Sequence, residues 1–473
     1  MNKYEESPVS EPEMEGESFE DDNLDCLLSI MSEGEAVYHN GRRTKLLNAS
    51  IEAFLGAKEM VKDAVVQPRY YGELMAWALC HYIEGEAWKV VGTTGFYRAE
   101  PIYMNVNTDI DKSQKIIMNG CLFLDRSGDR IAVTIDANMR FYNSVVVTGP
   151  SSKSKQVNEF TEGVKRIVKE ENFYRGKKIV LGGRIQFLDI SAKSWEDLVI
   201  DPATKDEIHA NTVGFLANLK EYDAYGILPK IGVLLAGEPG TGKTLICKVI
   251  MAQSPGITCL TTNPYAFEGH PYIREYIVEL YDLAEDLAPS IVFLEDIDQF
   301  AQSRAQHGYA RGATLLSLLS ALDGVEEHQG IVTVATTNCL DTLDMAITER
   351  PSRFDRVIEL NRPTLKERAE LVSSLCRKIP LTEDIQGCIA KKTEKFTPAQ
   401  LQEVIYSLVI MRNQKGRDAG PTGFEFTTAE VDCAIRKIYG RRKDPLGFCP
   451  ERNHNGQWPE AMHVSMKDIR QTE

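Results

Sequence analysis

The feature that most constrains this chain of 473 residues is a glycine-rich run of eight, Gly237-Glu238-Pro239-Gly240-Thr241-Gly242-Lys243-Thr244. It fits the pattern G-x-x-x-x-G-K-[ST], and it lies between a short apolar strand candidate, 232–236, and a helical segment, 245–253. In that context the pattern predicts a loop that binds phosphate. Its glycines let successive backbone N–H groups face the anion, and the next helix places its positive N-terminus beneath it.

The last two residues of the run add a charge and a metal ligand. The Lys243 ammonium would neutralise the terminal phosphates of a nucleotide, and the Thr244 hydroxyl would ligate Mg²⁺. A chance glycine-rich turn is the alternative, and the flanking strand and helix disfavour it. The sequence therefore predicts an α/β nucleotide-binding domain.

Two further strand candidates end in polar residues. Residues 291–294 are apolar and precede Glu295-Asp296, and residues 331–335 precede Thr336-Thr337-Asn338. A buried parallel strand that delivers acids beside a phosphate loop suits Mg²⁺ positioning and water activation. Asn338 is placed to orient the attacking water, although a lone Asn after a strand is usually a turn residue.

A cluster of three arginines, Arg350, Arg353 and Arg356, follows these strands. A basic loop is ordinarily a solvated surface. The functional alternative is an arginine finger, in which a guanidinium enters a neighbouring subunit's site and stabilises the charge on the γ-phosphate.

The region before the nucleotide domain has two parts. Residues 1–35 contain 12 Asp and Glu against one Lys, with few large apolar residues, which predicts a disordered acidic tail. Residues 36–190 mix helical and strand-like patterns and predict an α+β domain. Within it, Gly149-Pro150-Ser151-Ser152-Lys153 superficially resembles a phosphate loop but lacks the Gly-Lys-Ser/Thr ending, so we interpret it as a turn.

Charge and cysteine content limit the possible partners. The net charge is −15, but without residues 1–35 there remain 53 basic and 57 acidic residues, which argues against nucleic acid as a partner. The ten cysteines include no C-x-x-C pair, so we expect reduced thiols, and Cys449, His454 and His463 have no zinc-site spacing. With an acidic N-terminus and no run of about 18 apolar residues, we expect a cytoplasmic protein without membrane insertion.

Together these motifs resemble the AAA family of ATPases, within the wider AAA+ class, over roughly Ser194 to Tyr439. The matching segments are Gly237 to Thr244 (Walker A), Ile291 to Asp296 (Walker B), Leu315 to Gly324 (the helix before the sensor strand), Asn338 (sensor 1) and Thr348 to Arg356 (second region of homology). The resemblance puts Arg353 and Arg356 at the two arginine-finger positions.

The resemblance implies a domain plan and a set of site residues. It implies an AAA+ large subdomain at 191–363, a small helical lid at 364–440 and a C-terminal tail at 441–473. The implied cofactors are ATP and Mg²⁺, with the nucleotide contacted by Gly237, Glu238, Pro239, Gly240, Thr241, Gly242, Lys243, Thr244 and Leu245, and the metal by Thr244 and Glu295. The implied catalytic residues are Glu295, Asp296, Asn338, Arg353 and Arg356.

Family members usually form hexamers, with sites between subunits and pore loops that move a protein substrate. A homo-hexamer acting on a protein substrate, through its pore or its N-terminal domain, is therefore implied. Tyr265 and Phe267 lie near the pore-loop position, but their register is off by a couple of residues, and simple packing is an equal alternative.

Two departures from the family pattern matter. The acids read Glu295-Asp296 where the family usually has Asp-Glu, a reversal that, with Leu322-Asp323-Gly324, resembles the Bcs-type branch. By position Glu295 holds Mg²⁺ through water and Asp296 polarises the attacking water, and the roles swap if Glu295 reaches that water. In the lid, Phe396 to Leu401 replaces the usual Ser-Gly-Ala-Asp, with Thr397 able to cap a helix.

We therefore expect an ATPase that remodels or unfolds proteins. The alternative is an ATP-gated assembly or signalling scaffold, in which the reversed acids make turnover slow. No H-E-x-x-H occurs in the 473 residues, so the sequence lacks the metalloprotease motif found in some AAA proteins.

Overall fold

A computed structural model describes residues 41–95, 100–137, 142–182, 185–190, 192–226, 229–262, 273–299, 329–340, 354–379, 381–415 and 426–441. The chain divides into two compact units: Met1–Asn105 with Lys115–Glu170, and Val106–Gln114 with Glu171–Glu473. Several predicted features lie outside the described residues: the acidic tail, Tyr265, Phe267, Leu315 to Gly324, Arg350, Arg353, Cys449, His454 and His463.

The first unit is built on an antiparallel sheet with order β1-β6-β5-β4-β2, and β3 pairs with β4. Its elements are α1 (Gly41–Leu55), β1 (Met60–Pro68), α2 (Gly72–Gly85), β2 (Lys89–Thr94), β3 (Ile102–Asp109), β4 (Lys112–Arg126), β5 (Asp129–Asp136), β6 (Tyr142–Pro150) and α3 (Ser154–Glu170). The end of β3 and the start of β4, residues 106–114, are counted with the second unit. The turn between β4 and β5 contains Ser127 and Gly128, both at positive φ, as a two-residue hairpin turn of type I′ requires.

Helix α3 packs by one apolar face. Val157, Phe160 and Val164 recur at helical spacing and are buried. The ring of Phe160 meets Tyr82 and Trp88 edge-on, at centroid distances of 4.9 and 5.7 Å. An α+β fold for this unit agrees with the sequence prediction.

Two strands depart from the sequence-based expectations. Apolar residues recur at helical spacing from Leu46 to Met60, which predicts a helix over that range. In the structure α1 ends at Leu55, before Gly56 at φ 64°, and Met60 begins β1. The Lys177 to Asp189 segment lies inside the range predicted for the N-terminal domain. Its strand β7 (Lys178–Val180) nevertheless pairs in parallel with the second sheet. Both outcomes depend on long-range pairing, which local periodicity does not encode.

The second unit has a sheet with order β13-β9-β12-β11-β10-β7-β8, in which only β8 runs antiparallel to its neighbour. Its strands are β7, β8 (Gln186–Phe187), β9 (Lys230–Ala236), β10 (Thr258–Thr262), β11 (Ser290–Leu294), β12 (Ile331–Thr337) and β13 (Arg356–Glu359). Its helices before the lid are α4 (Pro202–Ala210), α5 (Val213–Ala217), α6 (Leu219–Ala224), α7 (Lys243–Ala252) and α8 (Ile273–Asp286). This doubly covered parallel sheet confirms the predicted α/β class.

Every residue of β10, β11 and β12 is buried, as expected for strands covered on both faces. Because β9, β12, β11 and β10 run parallel, their carboxyl ends meet at one edge of the sheet. Polar residues that follow these strands are therefore brought together there.

A helical lid follows β13. It comprises α9 (Leu365–Leu375), α10 (Glu383–Lys392), α11 (Pro398–Lys415) and α12 (Thr428–Arg441). The four helices enclose a core that includes Val372, Ile389, Phe396 and Leu401. Thr364 begins α9 with a reciprocal capping box to Glu367.

Within the described residues, none of the helices has the length and apolar character needed to cross a membrane. No group of three or more His, Cys, Asp or Glu side chains that could hold a metal ion occurs in the same residues. Seven described cysteines are free thiols (Cys80, Cys121, Cys247, Cys259, Cys376, Cys388, Cys433), and Cys339 is disulfide-bonded, against the expectation of reduced thiols throughout.

Candidate nucleotide site

The glycine-rich run forms the loop between β9 and α7. Gly240 and Gly242 have φ values of 84° and 106°, which L side chains rarely adopt, so glycine is required for this turn. At Gly237 the constraint is space, since a Cβ there would lie 2.6 Å from the Leu360 carbonyl oxygen. The Gly237 N–H also donates to Thr337 O at 3.2 Å, which joins the start of the loop to the end of β12.

The loop is braced from inside by two side chains. Thr241 Oγ1 donates to Glu238 O at 2.9 Å, and Lys243 Nζ donates to Gly237 O at 2.6 Å and Glu238 O at 3.1 Å. Lys243 is only 6% exposed. Burial lowers the pKa of its ammonium, while the charges of Asp296 and Asp298 oppose that shift. The loop thus holds a buried cation at the first residue of a helix.

Leu245 belongs to the same helix, but its side chain packs, partly buried, against the apolar core of this unit. Its predicted contact with nucleotide therefore concerns the backbone and stays a prediction.

Thr244 and Glu295 are brought together from two elements. Thr244 Oγ1, in the first turn of α7, lies 3.3 Å from Glu295 Oε2, directly after β11. Burial raises the pKa of the Glu295 carboxyl, and the neighbouring charge of Asp296 raises it further. A hydroxyl and one carboxylate are a donor set that fits Mg²⁺, which typically keeps waters and substrate phosphates as its other ligands.

Asp296 and Asn338 meet across two strand ends. Asn338 Nδ2 donates to Asp296 Oδ1 at 3.1 Å, and Asp296 has φ 53°, a left-handed backbone conformation. Burial and the charge of Asp298 raise the pKa of Asp296, while the Asn338 hydrogen bond and Lys243 lower it. The predicted pair of acid and amide is therefore close enough to act on one small molecule.

Two residues that hold this pair were given no role from the sequence. Asp298 is 2% exposed and accepts the Asn338 backbone N–H at 2.9 Å. Thr336 Oγ1 accepts the Asp296 backbone N–H at 2.9 Å. Asp298 stood in the same acidic run, but its contact depends on the left-handed turn at Asp296, for which the sequence carries no signal.

Of the two predicted finger arginines, only Arg356 is described. It begins β13, is exposed, and lies opposite Val233 of β9. The preceding residue, Asp355, accepts the Gly232 N–H at 2.8 Å and so fixes this segment to β9. The structure brings Lys243, Thr244, Glu295, Asp296 and Asn338 together, and it gives Arg356 an exposed position outside that group.

The lid touches the loop through α11. The Ala399 N–H donates to Gly240 O at 3.2 Å, and a Cβ on Gly240 would lie 2.9 Å from both Ala399 Cβ and Thr397 Oγ1. Thr397 and Gln400 form a reciprocal capping box, with N–H to side-chain oxygen distances of 3.0 and 3.4 Å. The substituted lid sequence therefore preserves the helix start predicted from it.

A phosphate loop at a helix N-terminus, with acids and an amide at the ends of adjoining parallel strands, defines a P-loop nucleotide-binding domain. The family model described as "ATPase family associated with various cellular activities (AAA)" matches residues 233–362. Residues 233–362 therefore match an AAA ATPase domain, and the predicted AAA resemblance is confirmed. The likeness to the Bcs-type branch stays a prediction.

Two related proteins also match part of this chain. The ATP-dependent zinc metalloprotease FtsH 2 of Salinibacter ruber is 30% identical over 284 residues, covering 57% of this chain and 40% of the relative. The proteasome-activating nucleotidase of Aeropyrum pernix is 36% identical over 209 residues, covering 42% of this chain and 50% of the relative. The chain thus spans half or less of the length of these relatives.

Among solved structures, the FIGL-1 AAA domain in complex with ADP aligns with a TM-score of 0.43 and 20% sequence identity. The alignment covers 52% of this chain and 84% of that domain.

Proposed function

We propose that this chain is a Mg²⁺-dependent ATPase that converts ATP and water to ADP and phosphate. The observation that carries the proposal is the 3.1 Å hydrogen bond from Asn338 to Asp296, beside a phosphate loop whose lysine is buried. Such a group can bind the phosphates, hold one metal ion and orient a water molecule.

The residues divide into a binding set and a hydrolytic set. Backbone N–H groups of the loop and Lys243 hold the phosphates, while Thr244 and Glu295 hold Mg²⁺. When bound, the metal supplies charge neutralisation at the β- and γ-phosphates. Asp296 accepts the proton of the attacking water, and Asn338 orients that water.

The hydrogen bonds support this assignment of the two acids over the exchanged one. Glu295 faces the Thr244 hydroxyl, and Asp296 faces the Asn338 amide. An acid beside the helix hydroxyl suits the metal, and an acid beside a neutral donor suits a water molecule.

We further propose a homo-hexamer in which Arg353 and Arg356 complete the site of a neighbouring subunit. The exposed position of Arg356 supports this role, because a finger must be accessible to another subunit. Two related proteins, named as an ATP-dependent protease and a proteasome-activating nucleotidase, support a protein substrate that is unfolded or remodelled. Tyr265 and Phe267 are proposed to line the pore.

The domain ranges 36–190, 191–363 and 364–440 form part of the proposal, with accessory segments at 1–35 and 441–473. We propose a cytoplasmic location, which the seven free thiols among the described residues support and the disulfide at Cys339 does not. The near balance of 53 basic and 57 acidic residues after residue 35 supports a protein rather than a nucleic acid as partner.

A second candidate function is an ATP-gated scaffold with slow turnover. One observation favours it: the acid assigned to the water is an aspartate whose pKa burial raises, so a shorter and less readily ionised group stands in the base position.

The test is Mg²⁺-dependent ATP hydrolysis by wild type, Asp296→Asn and Arg353→Ala, each sized with and without ATP. A motor with shared sites predicts an ATP-assembled ring, active in the wild type and inactive in both variants. A ring that binds ATP without turnover would instead identify the scaffold.

Mixing the two inactive variants sharpens this test. If the sites are shared, an Asp296→Asn subunit donates its intact Arg353 to the intact acid pair of an Arg353→Ala subunit, and part of the activity returns. Without that recovery, the finger would have to act within its own subunit or not at all.

A further inference from the structure

A single arginine joins the phosphate loop to the lid. Arg362 lies between β13 and α9, and its Nε and Nη2 donate to Glu238 Oε2 at 2.9 and 2.5 Å. Its Nη1 donates to Lys395 O at 3.1 Å, just before the cap of α11. One planar guanidinium therefore contacts both the second residue of the loop and the turn that leads into the lid helix.

Glu238 is more than an exposed acid on the loop. Its carbonyl oxygen accepts both Lys243 Nζ and Thr241 Oγ1, the two groups that brace the loop from inside. A change in the loop that moves these donors therefore also moves the carboxylate that Arg362 holds.

The lid has a second contact with the loop two residues further on, where the Ala399 N–H donates to Gly240 O at 3.2 Å. Lys395 and Ala399 flank the start of α11, and Glu238 and Gly240 flank the loop turn. Two separate contacts fix the direction of a helix far better than one, because the helix cannot pivot about both at once.

The Arg362–Glu238 pair is well suited to a contact that opens and closes. The two side chains are 36% and 53% exposed, and exposed ion pairs are individually weak. A weak ion pair of specific geometry can orient the lid relative to the phosphate loop and still break readily.

We propose that Arg362 is a positioning residue that fastens the lid to the phosphate loop through Glu238, and that this latch sets the rate at which bound nucleotide leaves. The inference rests on the proposed nucleotide function of the same site. It assigns to Glu238 and Arg362 a role that no motif in the sequence predicts.

The experiment compares wild type with Glu238→Gln, Arg362→Gln and the charge exchange Glu238→Arg with Arg362→Glu. Release of a fluorescent ADP analogue is followed by stopped flow. We expect each single variant to release ADP about three- to tenfold faster, and the exchange to recover part of the difference.

The matched control is Lys392→Gln. Lys392 forms an ion pair with Asp432 at 2.5 Å, each side chain 41% exposed, wholly within the lid. Breaking it removes an ion pair of similar exposure without touching the loop, so ADP release should stay at the wild-type rate.

Amide hydrogen exchange of the nucleotide-free protein separates loss of the latch from general destabilisation, because general destabilisation would raise the exchange rates of many amides and not of Ala399 alone. The amide of Ala399 should exchange faster in Arg362→Gln, while the amides of α9 keep their wild-type rates. Unchanged ADP release and unchanged Ala399 exchange in Arg362→Gln would overturn the latch. If the wild type fails to bind nucleotide, the proposed function falls, and the exchange experiment still decides the latch.

Discussion

The chain contains two strand–loop–helix units that look alike in sequence, and only one of them is built to bind phosphate. In the first, β6 leads through Gly149-Pro150-Ser151-Ser152-Lys153 into α3. In the second, β9 leads through the glycine-rich loop into α7. Both sequences have a glycine and a proline after the apolar residues of the strand, and a lysine at or near the helix start, although in the structure Gly149 and Pro150 are the last residues of β6.

The backbone distinguishes the two loops. After Pro150, residues Ser151–Lys153 form a 3-10 turn that runs directly into α3, so the N–H groups follow a helical course. In the second loop, left-handed residues at Gly240 and Gly242 turn the backbone back on itself. Only the backbone of the glycine-rich loop can direct several N–H groups at one anion.

The two lysines differ in the same way. Lys153 pairs with Asp129 and is 36% exposed, whereas Lys243 is 6% exposed and donates to carbonyls of its own loop. The strands differ too. The sheet neighbours of β6 run antiparallel to it, while β12 and β13 run parallel to β9 and end beside it. The lesson is that a phosphate site needs the parallel neighbours as much as the loop.

The largest expected effect is the difference in ATP affinity between alanine variants of the two lysines. Lys243→Ala removes a buried ammonium that would contact two phosphates, so ATP affinity should fall about 100-fold or more, from roughly 3 kcal/mol of lost charged hydrogen bonds. Lys153→Ala should leave ATP affinity unchanged. Titration calorimetry measures both, and equal losses in the two variants would refute the contrast.

Alanine variants of Asn338 and Asn143 should differ in effect, because the first should lower ATP turnover and the second should lower the stability of the fold. Asn338→Ala should lower ATP turnover about 10- to 100-fold with little loss of ATP affinity, because its amide holds Asp296 and the water. Asn143 donates to Pro68 O and Arg69 O at 2.8 and 3.2 Å, so Asn143→Ala should cost about 1–3 kcal/mol of stability and leave turnover unchanged. Steady-state hydrolysis and denaturant unfolding test the pair, and the contrast fails if either variant shows both losses.

Alanine substitutions at Gly242 and Gly128, two glycines with left-handed backbone conformations, compare the phosphate loop with the turn between β4 and β5. Gly242 (φ 106°) and Gly128 (φ 91°) have no atom within 4 Å of an added Cβ, so strain alone should cost about 1–2 kcal/mol at either position. Only Gly242→Ala should also weaken ATP binding. Thermal unfolding and ATP titration on both variants test this, with equal ATP affinity in the two as the result that contradicts it.

The smallest effect concerns two aspartates whose pKa values shift in opposite directions. The hydrogen bond from Lys153 lowers the pKa of Asp129, so its ionised form stabilises the fold, and that contribution is lost as the pH falls through the lowered pKa. Burial raises the pKa of Asp296, so its protonated form is favoured by folding, and that contribution is lost as the pH rises through the raised pKa.

At neutral pH, Asp129→Asn should therefore lower the melting temperature slightly, and Asp296→Asn should raise it slightly. The Asp296→Asn difference should shrink as the pH falls toward about pH 4, near the ordinary range of a carboxyl pKa, whereas the Asp129→Asn difference should persist to about pH 4 and shrink only below it. Thermal melts across about pH 4 to pH 8 check the signs, and shifts of the same sign would show that the two sites do not differ as described.

The sequence predicted the part of the site that sits in contiguous motifs. The loop, the acids after β11 and the amide after β12 lie together as the parallel-sheet argument requires. What it missed depends on pairs far apart in the chain. Strand β7 reaches β10 across about 80 residues, and Arg362 meets Glu238 across 124.

The acid turn shows the same limit at short range. Asp298 follows Asp296 by two residues, yet its contact with Asn338 exists because Asp296 adopts φ 53°. Sequence spacing places residues along a strand or helix, but a left-handed non-glycine residue is imposed by surrounding structure.

Strand β9 carries one further consequence, which concerns how such a chain can change over evolution. Val233 lies opposite Arg356, and four residues later Gly237 begins the phosphate loop, a span of about 13 Å. An insertion or deletion within that span would turn the side chains to the opposite face and shift the loop relative to the arginine. Natural variants should therefore exchange residues between Val233 and Ala236 only for apolar residues of similar size, while keeping their number fixed.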